Sequence, residues 1–227
     1  MPKEVLPLTV VLDNIKDSMD IGMLIRSISA VGAQRLIVLK DCVDIWDKSA
    51  IRSAWGGHFR VPLYTDVEWH ELQNYIQIDG NATFLTSSRS SILKKLQREI
   101  DSKTPEQLDE LIDSLEIDDN LDEDDKDNDD DDDDDDDDNE KFSVAPIFSK
   151  LFYSVDYSQF SHVTLVITGE KYNIGAQCRK FLFRNNGQGV SLPMADNAKG
   201  VNSAVGGSVV LYEIQRQFAE KRKTDCE

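Results

Sequence analysis

The apolar run Val163-Thr164-Leu165-Val166-Ile167 passes without a single charge into Thr168-Gly169-Glu170-Lys171-Tyr172-Asn173-Ile174-Gly175. A short β-branched run with no polar alternation reads as a strand covered on both faces, the condition of a parallel sheet. A second turn, Ser191-Leu192-Pro193-Met194, comes next, and Val201-Asn202-Ser203-Ala204-Val205-Gly206-Gly207-Ser208 opens an apolar helix. Two turns that expose backbone, each after a strand and before a helix, are what a nucleotide-like ligand needs in an open α/β sheet. Neither is a phosphate loop, because G-x-x-x-x-G-K-[ST] is absent.

The rest of the chain alternates in the same way. Strands are predicted over 8–12, 36–39, 61–64, 83–86, 163–167 and 189–192. Helices are predicted over 21–31, 48–55, 91–98, 175–184 and 202–221, with another capped by Asp66 and running to about 77. Gly32 is a natural stop for the first helix. Strand–helix alternation implies a mostly parallel, doubly wound α/β sheet. The expectation is one domain over 1–227, interrupted by an inserted loop at 100–150.

Charge is concentrated in that insert. The formal net charge is −18, and residues 118–140 hold sixteen Asp and two Glu against Lys126, so this stretch carries −17 and everything else −1. Ten consecutive aspartates, Asp129 to Asp138, repel one another and have nothing to bury, so disorder is expected over 118–140. The acidic balance therefore does not exclude a nucleic-acid partner. The tract reads as a solvated spacer or, more sharply, as a polyanion competing with RNA for a basic face.

Cys42, Cys178 and Cys226 are odd in number and form no C-x-x-C, which argues against a disulfide framework or structural zinc and for a reducing compartment. His58, His70 and His162 stand far apart, and no Ca²⁺-loop pattern occurs, so no metal site is expected. No apolar run approaches the ~20 residues of a membrane span. Met1-Pro2-Lys3-Glu4 resembles neither a signal nor a transit peptide.

Four stretches carry a resemblance when taken in order. They are Asp13-Asn14-Ile15-Lys16-Asp17-Ser18-Met19-Asp20-Ile21-Gly22-Met23-Leu24-Ile25-Arg26 with Ala30-Val31-Gly32-Ala33; Thr168-Gly169-Glu170; Leu192-Pro193-Met194; and Val201-Asn202-Ser203-Ala204 with Leu211-Tyr212-Glu213. Together they resemble the SpoU branch of the SPOUT RNA methyltransferases. Cys42-Val43-Asp44-Ile45-Trp46 and His58-Phe59-Arg60-Val61-Pro62 look most like the mitochondrial large-subunit ribosomal RNA (guanosine-2′-O-) methyltransferases of that branch.

The resemblance implies a C-terminal trefoil knot, S-adenosylmethionine held bent within it, and a homodimer whose active site draws on both subunits. It implies methylation of a ribose 2′-hydroxyl in ribosomal RNA, no membrane partner, and a mitochondrial location, with a cytoplasmic one as the alternative. Thr168, Gly169, Leu192, Met194 and Val201 would contact the cofactor, and Arg26, Glu170 and Asn202 would face the reacting ribose. The competing function is a catalytically diverged scaffold that binds RNA or partners an active paralogue.

The residue chemistry is compatible with this. Methyl transfer needs in-line positioning, and Leu192-Pro193-Met194 and Ala204 supply apolar walls for an adenine. Arg26 suits a developing alkoxide or an adjacent phosphate, although a guanidinium does not serve as a simple base. Each residue also has a duller reading: Arg26 as a surface ion-pair partner, Glu170 and Asn202 as helix caps, Met194 as a core filler. Three positions depart from the family's usual residues: Asp20 replaces Asn, Gly200 replaces Ser, and Thr168 replaces Gly. Asp20 either opposes RNA phosphate or orients Arg26. The separate N-terminal RNA-binding domain of many relatives is missing, so the chain is expected to be a fragment or to rely on a partner for RNA capture.

Overall fold

The computed structural model describes residues 5–76, 80–86, 149–169, 174–195, 198 and 200–224. The predicted helix over 91–98, the acidic tract 118–140 and Glu170 lie outside them.

Seven strands form one sheet: β1 (Leu6–Asp13), β2 (Ala33–Leu39), β3 (Leu63–Val67), β4 (Asn81–Thr86), β5 (Ser149–Leu151), β6 (His162–Thr168) and β7 (Gln188–Ser191). Their order is β3-β2-β1-β6-β4-β7-β5, and every pairing is parallel. Among the described residues four α-helices accompany them: α1 (Ser18–Val31), α2 (Lys48–Ala54), α3 (Ala176–Arg184) and α4 (Ser203–Thr224). The two central strands read as apolar throughout because both their faces are covered. One face buries Leu8, Val10, Leu12, Leu165 and Ile167 against Leu24, Ile25 and Ile28 of α1 and Val210, Leu211 and Ile214 of α4. The other buries Val11, Ile37, Leu85 and Val166 against Cys178, Phe181 and Leu182 of α3. A doubly wound sheet is what the alternation predicts, and β4 and β5 join it from either side of the 87–148 gap.

Local signals explain where α1 starts and stops. Asp17 accepts from the amides of Met19 and Asp20 at 2.7 and 2.9 Å, so the helix begins three residues before its apolar face does. Gly32, at φ 78°, ends it with its N–H donated to Ile28 O.

The structure corrects the sequence reading in two places. The segment expected to be a helix from Asp66 is strand through Val67, followed by a 3-10 turn over Trp69–Asn74. Asp66 sits at φ 55°, which is incompatible with a helix start, and Glu68 is the true cap, in a reciprocal capping box with Glu71. Strand β5 was not predicted; three residues at the sheet edge, inside the range read as insert, carry too little pattern to register.

Candidate functional site

The carboxyl ends of β1 and β6, adjacent in the sheet, stop together: Asp13 is in register with Thr168. Just beyond them the amino ends of α1 and α4 converge. The result is a cleft of about 290 Å³ lined by Asn14, Ile15, Lys16, Asp17, Asp20, Gly169 and Ser203. Its position, at the carboxyl edge of a parallel sheet, is where open α/β folds bind ligands.

The two strand ends are tied by backbone. Gly169 N–H donates to Asp13 O at 3.0 Å, and any Cβ on Gly169 would collide with the carbonyl of Asn14. Asn14 itself turns the chain at φ 52°. Only glycine fits this approach. Thr168 is buried, and its Oγ1 has no hydrogen-bond partner among the described residues. A buried hydroxyl without a partner is uncommon in a folded protein and marks a place where a ligand or water can bond.

Asn202 stands next to Ser203 of the lining. Its Oδ1 accepts from the amides of Ala204 and Val205 at 3.0 and 3.2 Å, capping α4. Its Nδ2 donates to Oδ2 of Asp20, on the first turn of α1, at 2.9 Å. Asn202 is therefore both a cap and a crosslink between the two helix starts. Leu192, on the preceding turn, is half-buried against the core, its Cδ1 3.9 Å from where a Cβ on Gly206 of α4 would stand. Met194 and Val201 are half-buried on either side of 196–200.

Arg26 does not line this cleft. It lies six residues along α1 from Asp20, about 9 Å at helical rise. Its guanidinium carbon stands 4.7 Å from the centre of the Trp55 ring, on an exposed face. Asp20 and Arg26 have different partners, Asn202 and Trp55. The sequence reading missed Asn14, Lys16, Asp17 and Ser203 as cleft residues; the one available signal was that Asn14 ends a strand.

Beneath the cleft, Asp13 is buried on the α3 side. Burial pushes its carboxyl up to about 7, with Asp41 adding to the effect, while Lys16 and a hydrogen bond from Trp69 pull the other way. Cys42, whose thiol donates to Leu12 O at 3.3 Å, is pushed up to about 12 by burial. It is an inert thiol at neutral pH. Among the described residues no cluster of His, Cys, Asp or Glu could hold a metal ion, and no helix is long and apolar enough to cross a membrane.

A parallel sheet with this strand order, and a cleft between a glycine turn and the capped start of the last helix, define an open α/β domain with a ligand-sized cleft at its carboxyl edge. The family model described as "SpoU rRNA Methylase family" matches residues 7–108. Two similar curated proteins are rRNA methyltransferase 3B, mitochondrial, of Danio rerio (27% identical, 96% of this chain, 48% of that protein) and rRNA methyltransferase 3, mitochondrial, of Xenopus laevis (26%, 97% and 51%). This chain spans about half the length of the curated relatives it matches. The fold is shared with the AdoMet-bound rRNA methyltransferase of Sinorhizobium meliloti, at a TM-score of 0.59 and 16% identity over 95% of this chain and 58% of that one.

Proposed function

We propose that this protein is an S-adenosylmethionine-dependent RNA methyltransferase that methylates a ribose 2′-hydroxyl in ribosomal RNA. The observation that carries this reading is the cleft itself: a glycine-only turn beside a partnerless buried hydroxyl, sharing the lining with Asp20, whose carboxylate is bonded to an asparagine that joins two helix starts. The mitochondrial rRNA methyltransferase names of the similar proteins support the ribosomal substrate, and by the same likeness a mitochondrial location. No specific observation favours the scaffold reading over an enzyme.

The residues expected at the cofactor suit it chemically, and of them Gly169 lines the cleft. Thr168 Oγ1 and the backbone at Gly169 would hold its polar groups, and Leu192, Met194 and Val201 would wall its apolar ones. When bound, S-adenosylmethionine supplies an electrophilic sulfonium methyl. The family's trefoil knot belongs to this reading too.

The protein's own part is positioning and charge. Asn202, fixed by its cap and by Asp20, would orient the ribose, and Glu170 belongs to the same expected set of ribose-facing residues. Arg26 would hold the adjacent phosphate and stabilise the oxyanion that develops as the hydroxyl attacks. A guanidinium remains protonated, so the proton leaves to the phosphate or to solvent.

Arg26 reaches that position from a second copy of the chain. Met19 and Met23 are exposed on α1, and Val205, Val209 and Tyr212 are exposed on α4 at helical spacing. The two helices pack side by side through Gly207 against Leu24 and a 2.8 Å bond from Ser208 to Ser27, so their exposed apolar residues form one face. A homodimer would cover it.

Calorimetry with S-adenosylmethionine is the first test, and absence of binding at millimolar cofactor ends the reading. Arg26→Ala is expected to abolish methyl transfer to ribosomal RNA while leaving cofactor affinity near normal.

A further inference from the structure

Folding normally hides aromatic rings. Between β2 and β3, three are left outside: Trp46 is 49% exposed, Trp55 73% and Phe59 81%. They are held in place rather than loosely disposed. Trp55 sits at φ 50°, left-handed for a bulky residue and a source of strain that the surroundings must offset. Gly57 brings the turn against α1, where a Cβ would stand 3.0 Å from Ile25 O. His58 is buried, its Nε2 2.8 Å from Ile45 O, and its ring stacks under Trp46 at 4.9 Å and 28°. Phe59 tilts against both rings.

Two of these rings thus have one face occupied by the protein, Trp46 by His58 and Trp55 by the Arg26 guanidinium. Their other faces are open. Around them stand Arg26, Arg52 and Arg60, all exposed and none in an ion pair among the described residues. The nearby acids Asp44 and Asp47 accept from the amides of Trp46 and Ser49.

We propose that this ledge is a stacking platform for unpaired bases of the RNA substrate. The proposal rests on the reading that the substrate is RNA and adds its form. Separate ring faces interleaved with guanidinium groups match the alternation of base and phosphate along a single strand. A paired A-form helix offers no base faces to stack on. A second copy of the chain is better served by the exposed apolar residues of α1 and α4.

The test is tryptophan emission of the full chain titrated with an unstructured oligouridine and with a paired RNA duplex. The single strand is expected to quench emission and to bind at least tenfold more tightly than the duplex. Phe59→Ala and Trp55→Ala should each weaken that binding roughly tenfold, and Trp55→Phe should restore most of it. Equal binding of strand and duplex, or unchanged affinity in the Trp55→Ala/Phe59→Ala variant, would overturn the proposal. So would dissociation of a dimer in that variant by sedimentation velocity, which would assign the ledge to a second copy. Calorimetry with S-adenosylmethionine reads the methyl-transfer reading separately: strand binding without cofactor binding refutes that reading and leaves the platform standing.

Discussion

Asn202 and Asp20, 182 positions apart in the chain, are joined by a 2.9 Å hydrogen bond from Nδ2 to Oδ2. The bond ties the start of the last helix to the start of the first, at the mouth of the cleft. Because the same asparagine caps α4 with its Oδ1, the orientation of its amide is determined by both ends.

Asn202→Ala removes cap and crosslink together, and a loss of about 1–2 kcal/mol is expected in thermal or urea denaturation. Asn202→Asp keeps the cap but sets two carboxylates face to face. Its deficit should shrink as pH falls through the carboxylate range, whereas that of Asn202→Ala should not.

Gly169→Ala drives a methyl group into the Asn14 carbonyl. Overpacking of this kind destabilises by about 1–3 kcal/mol. The displaced turn should also weaken S-adenosylmethionine binding, measured by calorimetry, by more than Asn202→Ala does. Equal cofactor affinity in Gly169→Ala and the parent would remove this turn from the binding site.

Two buried groups give opposing pH dependences. Asp13, at about 7 instead of 3.8, binds its proton more readily folded than unfolded, so its effect is to lower stability as pH rises from about 4 to about 7. His162 accepts or donates a 2.9 Å bond with Thr9 Oγ1 and is pushed down to about 4 by burial and by Arg35. It resists protonation when folded, so its contribution is present above about 6.5 and is lost as pH falls from there to about 4. The two slopes, each near 1.4 kcal/mol per pH unit, nearly cancel between pH 4.5 and 6.5 on the order of the shifts involved. Asp13→Asn should expose the histidine's slope, with stability falling steeply on acidification. His162→Gln should expose the opposite one. Urea denaturation at a series of pH values reads both.

Deleting 118–140 leaves a chain with net charge −1 in place of −18. The expected outcome is an unchanged thermal midpoint and tighter RNA binding, the gain being largest at low salt and fading as the Debye length contracts. A gain independent of salt would mean that the tract acts otherwise than through its charge.

Much of the sheet is legible in the chain because buried parallel strands leave uninterrupted β-branched runs. Leu8–Leu12, Leu36–Leu39 and Val163–Ile167 all fall within observed strands. Caps and stops such as Asp17 and Gly32 act over one turn, so α1 was readable to within a few residues. The segment from Asp66 failed for a local reason of another kind: a left-handed residue moved the cap two positions on, to Glu68. The candidate cofactor turn was visible from Thr168-Gly169, with a glycine that permits close approach, yet the sequence did not say what it approaches within the protein. It approaches the Asn14 carbonyl, supplied by a strand that is neighbour in space and distant in sequence. Asp20 illustrates the same limit. The sequence left open whether it orients Arg26, whereas in the fold it accepts a hydrogen bond from Asn202 and Arg26 lies over Trp55.

The sequence alone determined the strand and helix alternation, the parallel sheet and the location of the charge, because hydrophobic period, capping and side-chain charge are properties of neighbours along the chain. Only the tertiary structure decided which turns share a cleft, which side chain holds Asn202 and which rings are left open to solvent. Those depend on contacts between residues brought together by packing, and no period along the chain encodes them.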